Sequence, residues 1–334
     1  MGTAIHPFVL TRTWLNTSGV GKTPDHLLDF AAPTDELSTD NPVDTCCFIS
    51  DEQLDSITVL GGAAQGTTLR SLVAEAPRQI VGRQFDKNKP FPLSLTVRAI
   101  QQDQPLQLYP DQETAEKLSS PDAMNAKFWY SLAAERNSKV FLGLDPRTSA
   151  QQLIRHLSGT DARNHLQRFN VRVGDSYLIP PGTAHALTAG QTMLELALSN
   201  RSGLRLTNWS ENDDIPKEEL DAAIRSINPE SRQIIRMPKV RGEVSHTRKI
   251  PLTRHCPYFA AEEIRLLDHI FMETNGEACE LLFALDGKFA VSYENGRECV
   301  PKNHVCLIPA TLGSFKLESD GEPAEILRFS RMPM

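Results

Sequence analysis

The chain has 334 residues, 40% of them hydrophobic and 23% charged, and its 35 basic and 42 acidic residues leave a formal charge of −7. That length holds two domains of ordinary size, or one large domain with an insertion. The acidic balance offers no basic field to a phosphate backbone, and no apolar run is long enough to span a bilayer, so nucleic acid and membrane are excluded as partners.

The opening MGTAIHPFVLTRTW lacks a basic start followed by an apolar core, so no secretory signal is expected. The six cysteines (Cys46, Cys47, Cys256, Cys279, Cys299 and Cys306) form no CxxC pair. They read as reduced, mostly structural thiols of a cytoplasmic protein.

In chain order, the first hundred residues alternate short β-like runs with turns. They are interrupted by TTLRSLVAEAP, a helix with a threonine cap that stops before Pro77. FPLSLTVRAI and PLQLYP read as two strands joined by QQDQ into a hairpin. From Asp111 to about His165 the spacing turns helical, as in SAQQLIRHLSG, where Leu153, Ile154 and Leu157 share a face. Strands resume at FNVRVGDSYLIPPGTAHALTAGQTMLELAL, and PKEELDAAIRSI forms a helix with Pro216 in its first turn. RQIIRMPKVRGEVSHTRK suits a surface connection. After it the chain is β throughout, with sharp turns at Asp286-Gly287 and Asn295-Gly296. A mainly β fold follows: a first domain over 1–110 and 166–240, a helical insertion over 111–165, and a second β domain over 245–334. VRVGDSYLIPPGT and VPKNHVCLIPATL are alike enough to make the two β domains of one kind.

GDSYLIPPGTAH carries the most chemical information. Gly174, Pro180, Gly182 and His185 fit the pattern G-x5-P-x-G-x2-H, in which a turn feeds a strand and a Pro-Gly bend aims the histidine inward. One histidine holds no metal alone, so partners must come from elsewhere in the chain.

This pattern is the second cupin motif, and the wider sequence resembles the type I mannose-6-phosphate isomerase family, especially its short bacterial branch. The resemblance rests on TVLGGAAQGTTLRSLVAEAPRQIVGR, KPFPLSLTVRAIQQDQPLQLYPDQETA, the FWY before a helix, RVGDSYLIPPGTAHAL, LELALSNRSGLRLTNW and the closing LIPA. It implies two cupin (jelly-roll) β-barrels with an α-helical insertion in the first, and zinc-assisted interconversion of an aldose and a ketose phosphate. Zinc in that family is held by Gln and His of a QxHP strand, a Glu of a KxExWY segment, and the His of the PxGxxH turn.

Carried over residue by residue, Gln107 and His185 stand as the metal ligands. The other two ligand places hold Tyr109 for histidine and Lys127 for glutamate, and the lysine place of NAKFWY is Asn125. Thr96 and Pro105 replace a lysine and a serine of the same pocket. Arg205, ten residues after Glu195, is retained as the catalytic candidate. Lys127 and Tyr109 become candidate substrate contacts, the ammonium serving as a fixed cation for sugar hydroxyls. Asp111, Glu113 and Asp175 are the carboxylates available as substitute ligands. In the second barrel the Pro-Ala turn of VPKNHVCLIPA has no histidine after it, so that domain is expected to be structural.

Three readings follow. One is a hexose-phosphate isomerase acting through Gln107, His185 and Arg205. The second is a non-catalytic relative that binds a sugar or sugar phosphate in the same pocket. The third is a structural bicupin with no small ligand.

Overall fold

The computed structural model describes residues 5–19, 21–31, 37, 42–118, 124–157, 161–198, 203–210, 213–230, 235–242, 245–254 and 256–332. Two compact units emerge, unit 1 comprising Met1–Trp14, Cys47–Leu95 and Val240–Met334, and unit 2 comprising Leu15–Cys46 and Thr96–Lys239. The division departs from the expected one, because 1–14 and 47–95, expected in the first barrel, cluster with the C-terminal part. The strand Phe8–Leu10 explains part of this: it pairs antiparallel with Val305–Ile308 and is itself fully β-branched or aromatic apart from Leu10.

Unit 1 contains a six-stranded sheet in the order Phe8–Leu10, Val305–Ile308, Glu280–Asp286, Ala324–Arg331, Phe259–Leu266, Arg248–Pro251. A four-stranded sheet runs His269–Glu273, Ser314–Ser319, Phe289–Tyr293, Gly296–Val300. Ile264, Leu282, Ile308 and Ile326 from the first meet Phe289, Val291, Phe315 and Leu317 from the second in one core. Alternate residues of strands in two facing sheets are thereby removed from water.

In unit 2 a five-stranded sheet runs Leu204–Thr207, Leu106–Leu108, His185–Leu187, Lys139–Leu144, Leu166–Asn170. A second sheet runs Ile235–Met237, Ser176–Ile179, Lys127–Ala134, Gln191–Ala197, then Ser94–Ile100, Thr45–Ile49 and Thr13–Leu15, and a unit boundary falls within each of these last three. Trp129, Tyr177, Ile179 and Met193 of the second sheet share a core with Val140, Leu142 and Leu187 of the first. The other face of the five-stranded sheet buries Leu106, Leu108, Phe141, Ala184, Ala186 and Leu206 against the helices Ala150–Arg155 and Lys217–Arg225.

Two helices start where a side-chain cap puts them, and a third carries charges that suit its dipole. Thr68 accepts from the Ser71 amide ahead of Leu69–Glu75, and Ser149 with Gln152 forms a capping box ahead of Ala150–Arg155. Lys217–Arg225 has Glu218 and Glu219 in its first turn and Arg225 in its last, matching its dipole, with Pro216 as the cap.

Three expectations are corrected. The insertion over 111–165 is not helical throughout: Lys127–Ala134 and Lys139–Leu144 are strands between the short helices Gln112–Lys117 and Ala150–Arg155, so FWY leads a strand. Lys127, Trp129 and Ser131 alternate with Phe128 and Tyr130, and that period of two dominates. Ser94–Ile100 and Leu106–Leu108 are not a hairpin, for they lie in different sheets. The intervening loop turns the chain between sheets, anchored by the Gln104 amide on the Leu187 carbonyl and the Trp209 indole on the Gln104 carbonyl. Within the expected surface connection, Ile235–Met237 pairs with Ser176–Ile179. Among the described residues no helix is long and apolar enough to cross a membrane.

Candidate functional site

The alternation that buries Leu106, Leu108, Ala184, Ala186 and Leu206 under the helices turns Gln107, His185 and Arg205 to the opposite face of the five-stranded sheet. Register brings these three together: His185 pairs with Gln107, and Gln107 pairs with Arg205 on its other side. Across from them, the face that holds Trp129 and Met193 in the core also carries Lys127 and Glu195. Glu195 lies directly opposite Trp129, and Lys127 is its diagonal neighbour, opposite Ala197.

The result is a cavity of about 590 Å³ within unit 2, lined by Thr17, Thr45, Thr96, Arg98, Gln104, Gln107, Tyr109, Lys127, Glu195, Arg205 and Glu219 among others. His185 sits behind this lining, 1% exposed, its ring stacked on Tyr109 at 5.7 Å and set edge-on to Trp129 at 5.4 Å. All five residues singled out by sequence thus belong to one cluster.

Their bonding differs from what a metal centre needs. Lys127 donates to Glu195 Oε1 at 2.9 Å, and the Trp129 indole N–H donates to Glu195 Oε2 at 2.7 Å. The ammonium also lies 5.1 Å from the centre of the Tyr109 ring, a cation–π arrangement. Burial alone would raise the Glu195 pKa, but Lys127, Arg98 and the Trp129 hydrogen bond override it and bring it down to about 2. Burial alone would likewise neutralise Lys127, and Glu195, helped by Tyr109, holds its pKa above the ordinary lysine value instead. The pair is therefore ionic in a dry setting.

His185 Nδ1 is 2.8 Å from the Thr183 carbonyl, which only accepts, so Nδ1 carries the proton. Burial, with the charge of Lys127 added, pushes the His185 pKa down to about 4 and keeps the ring neutral. Its Nε2 is then a lone pair, buried with no hydrogen-bond partner among the described residues.

That lone pair is one suitable zinc donor, but the rest of the set does not fit. A zinc site takes three or four anionic or neutral N, O or S ligands. Here one place holds an ammonium and another a phenol. A divalent ion roughly 4 Å from an ammonium is opposed by on the order of 8 kcal/mol at an effective dielectric of about 20. Of the two carboxylates that line the cavity among the described residues, Glu195 is committed to that ammonium and Glu219 to Arg205. Among the described residues no group of three or more His, Cys, Asp or Glu is placed to hold a metal. The expected substitutes are engaged elsewhere: Asp111 caps Gln112–Lys117, Glu113 pairs with Lys117 at 2.5 Å, and buried Asp175 pairs with Arg236 at 2.6 Å.

Arg205 is present at the cavity but held. Its Nε and Nη2 donate to the two oxygens of Glu219 at 3.0 and 2.9 Å, and its backbone N–H donates to Oε1 as well. Glu219 comes from the first turn of Lys217–Arg225. A neighbouring carboxylate is the ordinary alternative for an arginine at a barrel rim, but no local pattern singles out Glu219, 14 residues away on another element. The commitment of Glu195 had a weak signal, a lone carboxylate in the apolar strand QTMLELAL. Arg98, which reaches Glu195 at 3.9 Å, was equally marked by standing alone in SLTVRAI.

No family model matches the chain. A putative mannose-6-phosphate isomerase of Bacillus subtilis is 26% identical over 168 residues, which cover 50% of this chain and 52% of that protein. This match therefore spans about half of the relative's length. The mannose-6-phosphate isomerase ManA of the same organism is 24% identical over 286 residues, 83% of this chain and 87% of its own. Among solved structures, that of the mannose 6-phosphate isomerase from Bacillus subtilis superposes with a TM-score of 0.70 at 19% identity, over 97% of this chain and 99% of the other. At that identity the superposition speaks for the fold.

Proposed function

We propose that this chain, similar to mannose-6-phosphate isomerases in sequence and fold, binds a hexose phosphate in the unit 2 cavity without the isomerase activity for which those relatives are named. One observation carries the proposal: Lys127, bonded to Glu195 at 2.9 Å, stands in the unit 2 cavity where the resemblance expects a glutamate ligand. The lining suits a sugar phosphate, since Arg98, Lys127 and Arg205 outnumber Glu195 and Glu219, and Thr17, Thr45, Thr96, Gln104 and Gln107 add hydroxyl and amide groups for sugar oxygens. Aldose–ketose conversion needs a base near C1 and C2 and an electrophile for the developing oxyanion. Glu195 is held by its two donors, and an ammonium lacks the Lewis acidity of a metal.

We read each unit as one cupin-type barrel, supported in each by two sheets that share a core. On this reading the ligand is a small cytoplasmic sugar phosphate. The decisive experiment is calorimetric titration with mannose-6-phosphate and fructose-6-phosphate, with and without a chelator, beside an isomerase assay. Saturable binding indifferent to chelator, with turnover at the uncatalysed rate, is expected. Turnover abolished by the chelator would overturn the loss of chemistry, and absence of binding to both sugars would overturn the ligand.

A further inference from the structure

We infer that the Lys127 ammonium is the resident cation of the unit 2 cavity, seated in a cation site built by Glu195 and His185, and that removing its charge opens this site to a divalent transition metal. Glu195, the Tyr109 ring and the neutral His185 ring are groups that a cation attracts, and Arg98, 3.9 Å from the other Glu195 oxygen, shares that carboxylate. Glu195 gives one carboxylate oxygen at 2.9 Å, and its other oxygen is oriented by the Trp129 indole at 2.7 Å. The Tyr109 ring presents its face at 5.1 Å. His185, packed on both Tyr109 and Trp129, has its proton fixed on Nδ1 by the Thr183 carbonyl. Its Nε2 lone pair is buried and has no donor among the described residues.

A carboxylate and a neutral imidazole are ordinary ligands for Co(II), Ni(II) and Zn(II). Gln107 is paired with His185 in register and lines the same cavity. What keeps these groups from a metal is chiefly the Lys127 ammonium on Glu195 Oε1, with Arg98 a longer contact at 3.9 Å from Oε2. Lys127 is 6% exposed yet lines a cavity of about 590 Å³, so an ion has room to enter once the ammonium is gone. The inference depends on this cluster and not on the identity of the sugar. Failure of sugar-phosphate binding leaves it standing, and its own failure leaves the sugar binding untouched.

The test is Co(II) titration of the full chain without an affinity tag, followed by calorimetry and by visible absorption of the bound ion. Wild type should take up no Co(II) at this site. Lys127→Gln should bind one Co(II) per chain at least tenfold more tightly than wild type, and adding His185→Ala should abolish the gain. Stoichiometric Co(II) on wild type that is lost with His185→Ala would overturn the inference, as would a Lys127→Gln chain no better than wild type. Should Lys127→Gln fail to fold, Lys127→Met, which keeps the apolar stem, takes its place. Folding of either variant only in the presence of Co(II) supports the inference, and failure of both in either condition overturns it.

Discussion

Lys127 Nζ and Glu195 Oε1 are 2.9 Å apart, on adjacent strands and one diagonal step out of register, and both side chains are less than a tenth exposed. Each charge is tolerable because of the other. Removing one partner from a buried ion pair leaves an uncompensated charge, which costs about 3–5 kcal/mol, whereas removing both leaves uncharged groups of similar shape. Lys127→Met and Glu195→Gln are therefore each expected to lower unfolding free energy by that amount, with the double variant well short of their sum. Urea denaturation of the four chains measures it, and single variants within about 1 kcal/mol of wild type would contradict an ionised buried pair.

The buried imidazole sets a pH window. His185 titrates near 4 in the fold against an ordinary value of 6.5, so the unfolded chain binds a proton over that interval and the folded chain does not. Stability from this group is complete above pH 6.5, declines as pH falls to about 4, and is constant below, a loss of about 3 kcal/mol in all. Glu195, brought down to about 2 from 4.5, acts in the same direction but lower, between pH 4.5 and 2. The raised Lys127 value makes no change anywhere in acid. His185→Leu cannot take up the proton, so the difference in stability between wild type and variant should shrink from pH 7 to pH 4.5. A constant difference would mean that the ring is not buried neutral.

Much of the fold is legible in the sequence because local chemistry is enough for it. Thr68, Ser149 and Pro216 mark helix starts, and the bend at Gly182 presents His185 on the interior face. The errors come from contacts far away in sequence. The loop at Gln104 reads as a hairpin, since nothing nearby reveals that Leu187 and Trp209 hold it between two sheets. Motif spacing names five residues that the fold brings into one cluster, yet not their bonding, because Lys127 meets Glu195 across 68 positions and Arg205 meets Glu219 on a separate helix.

Gly182 supplies a test of the turn itself. Its φ is +75°, and a Cβ there would lie 2.6 Å from Asn228 Cβ. Its N–H also bonds the Tyr109 carbonyl at 2.6 Å, and its carbonyl accepts from the Asn228 amide at 2.9 Å. Strain and overlap act together, so Gly182→Ala should cost about 2–4 kcal/mol. A melting temperature within a degree or two of wild type would show that this turn is not fixed as described.

Arg205 and Glu219 separate structural from binding roles. Their side chains are 35% and 23% exposed, and a pair so open to water contributes up to about 1 kcal/mol. Arg205→Ala should therefore change stability by no more than that. At the cavity, however, the guanidinium is a ready partner for a phosphate dianion, and loss of a charge-assisted bidentate contact weakens binding by about 1.5–3 kcal/mol, or tenfold and more. Glu219→Gln sharpens the test, because the arginine then keeps its charge without its carboxylate. If the phosphate exchanges with Glu219 for the same donors, affinity for mannose-6-phosphate should fall in Arg205→Ala and rise in Glu219→Gln. If both variants bind as wild type does, the pair belongs to the scaffold, and the phosphate must be held by Arg98 and Lys127.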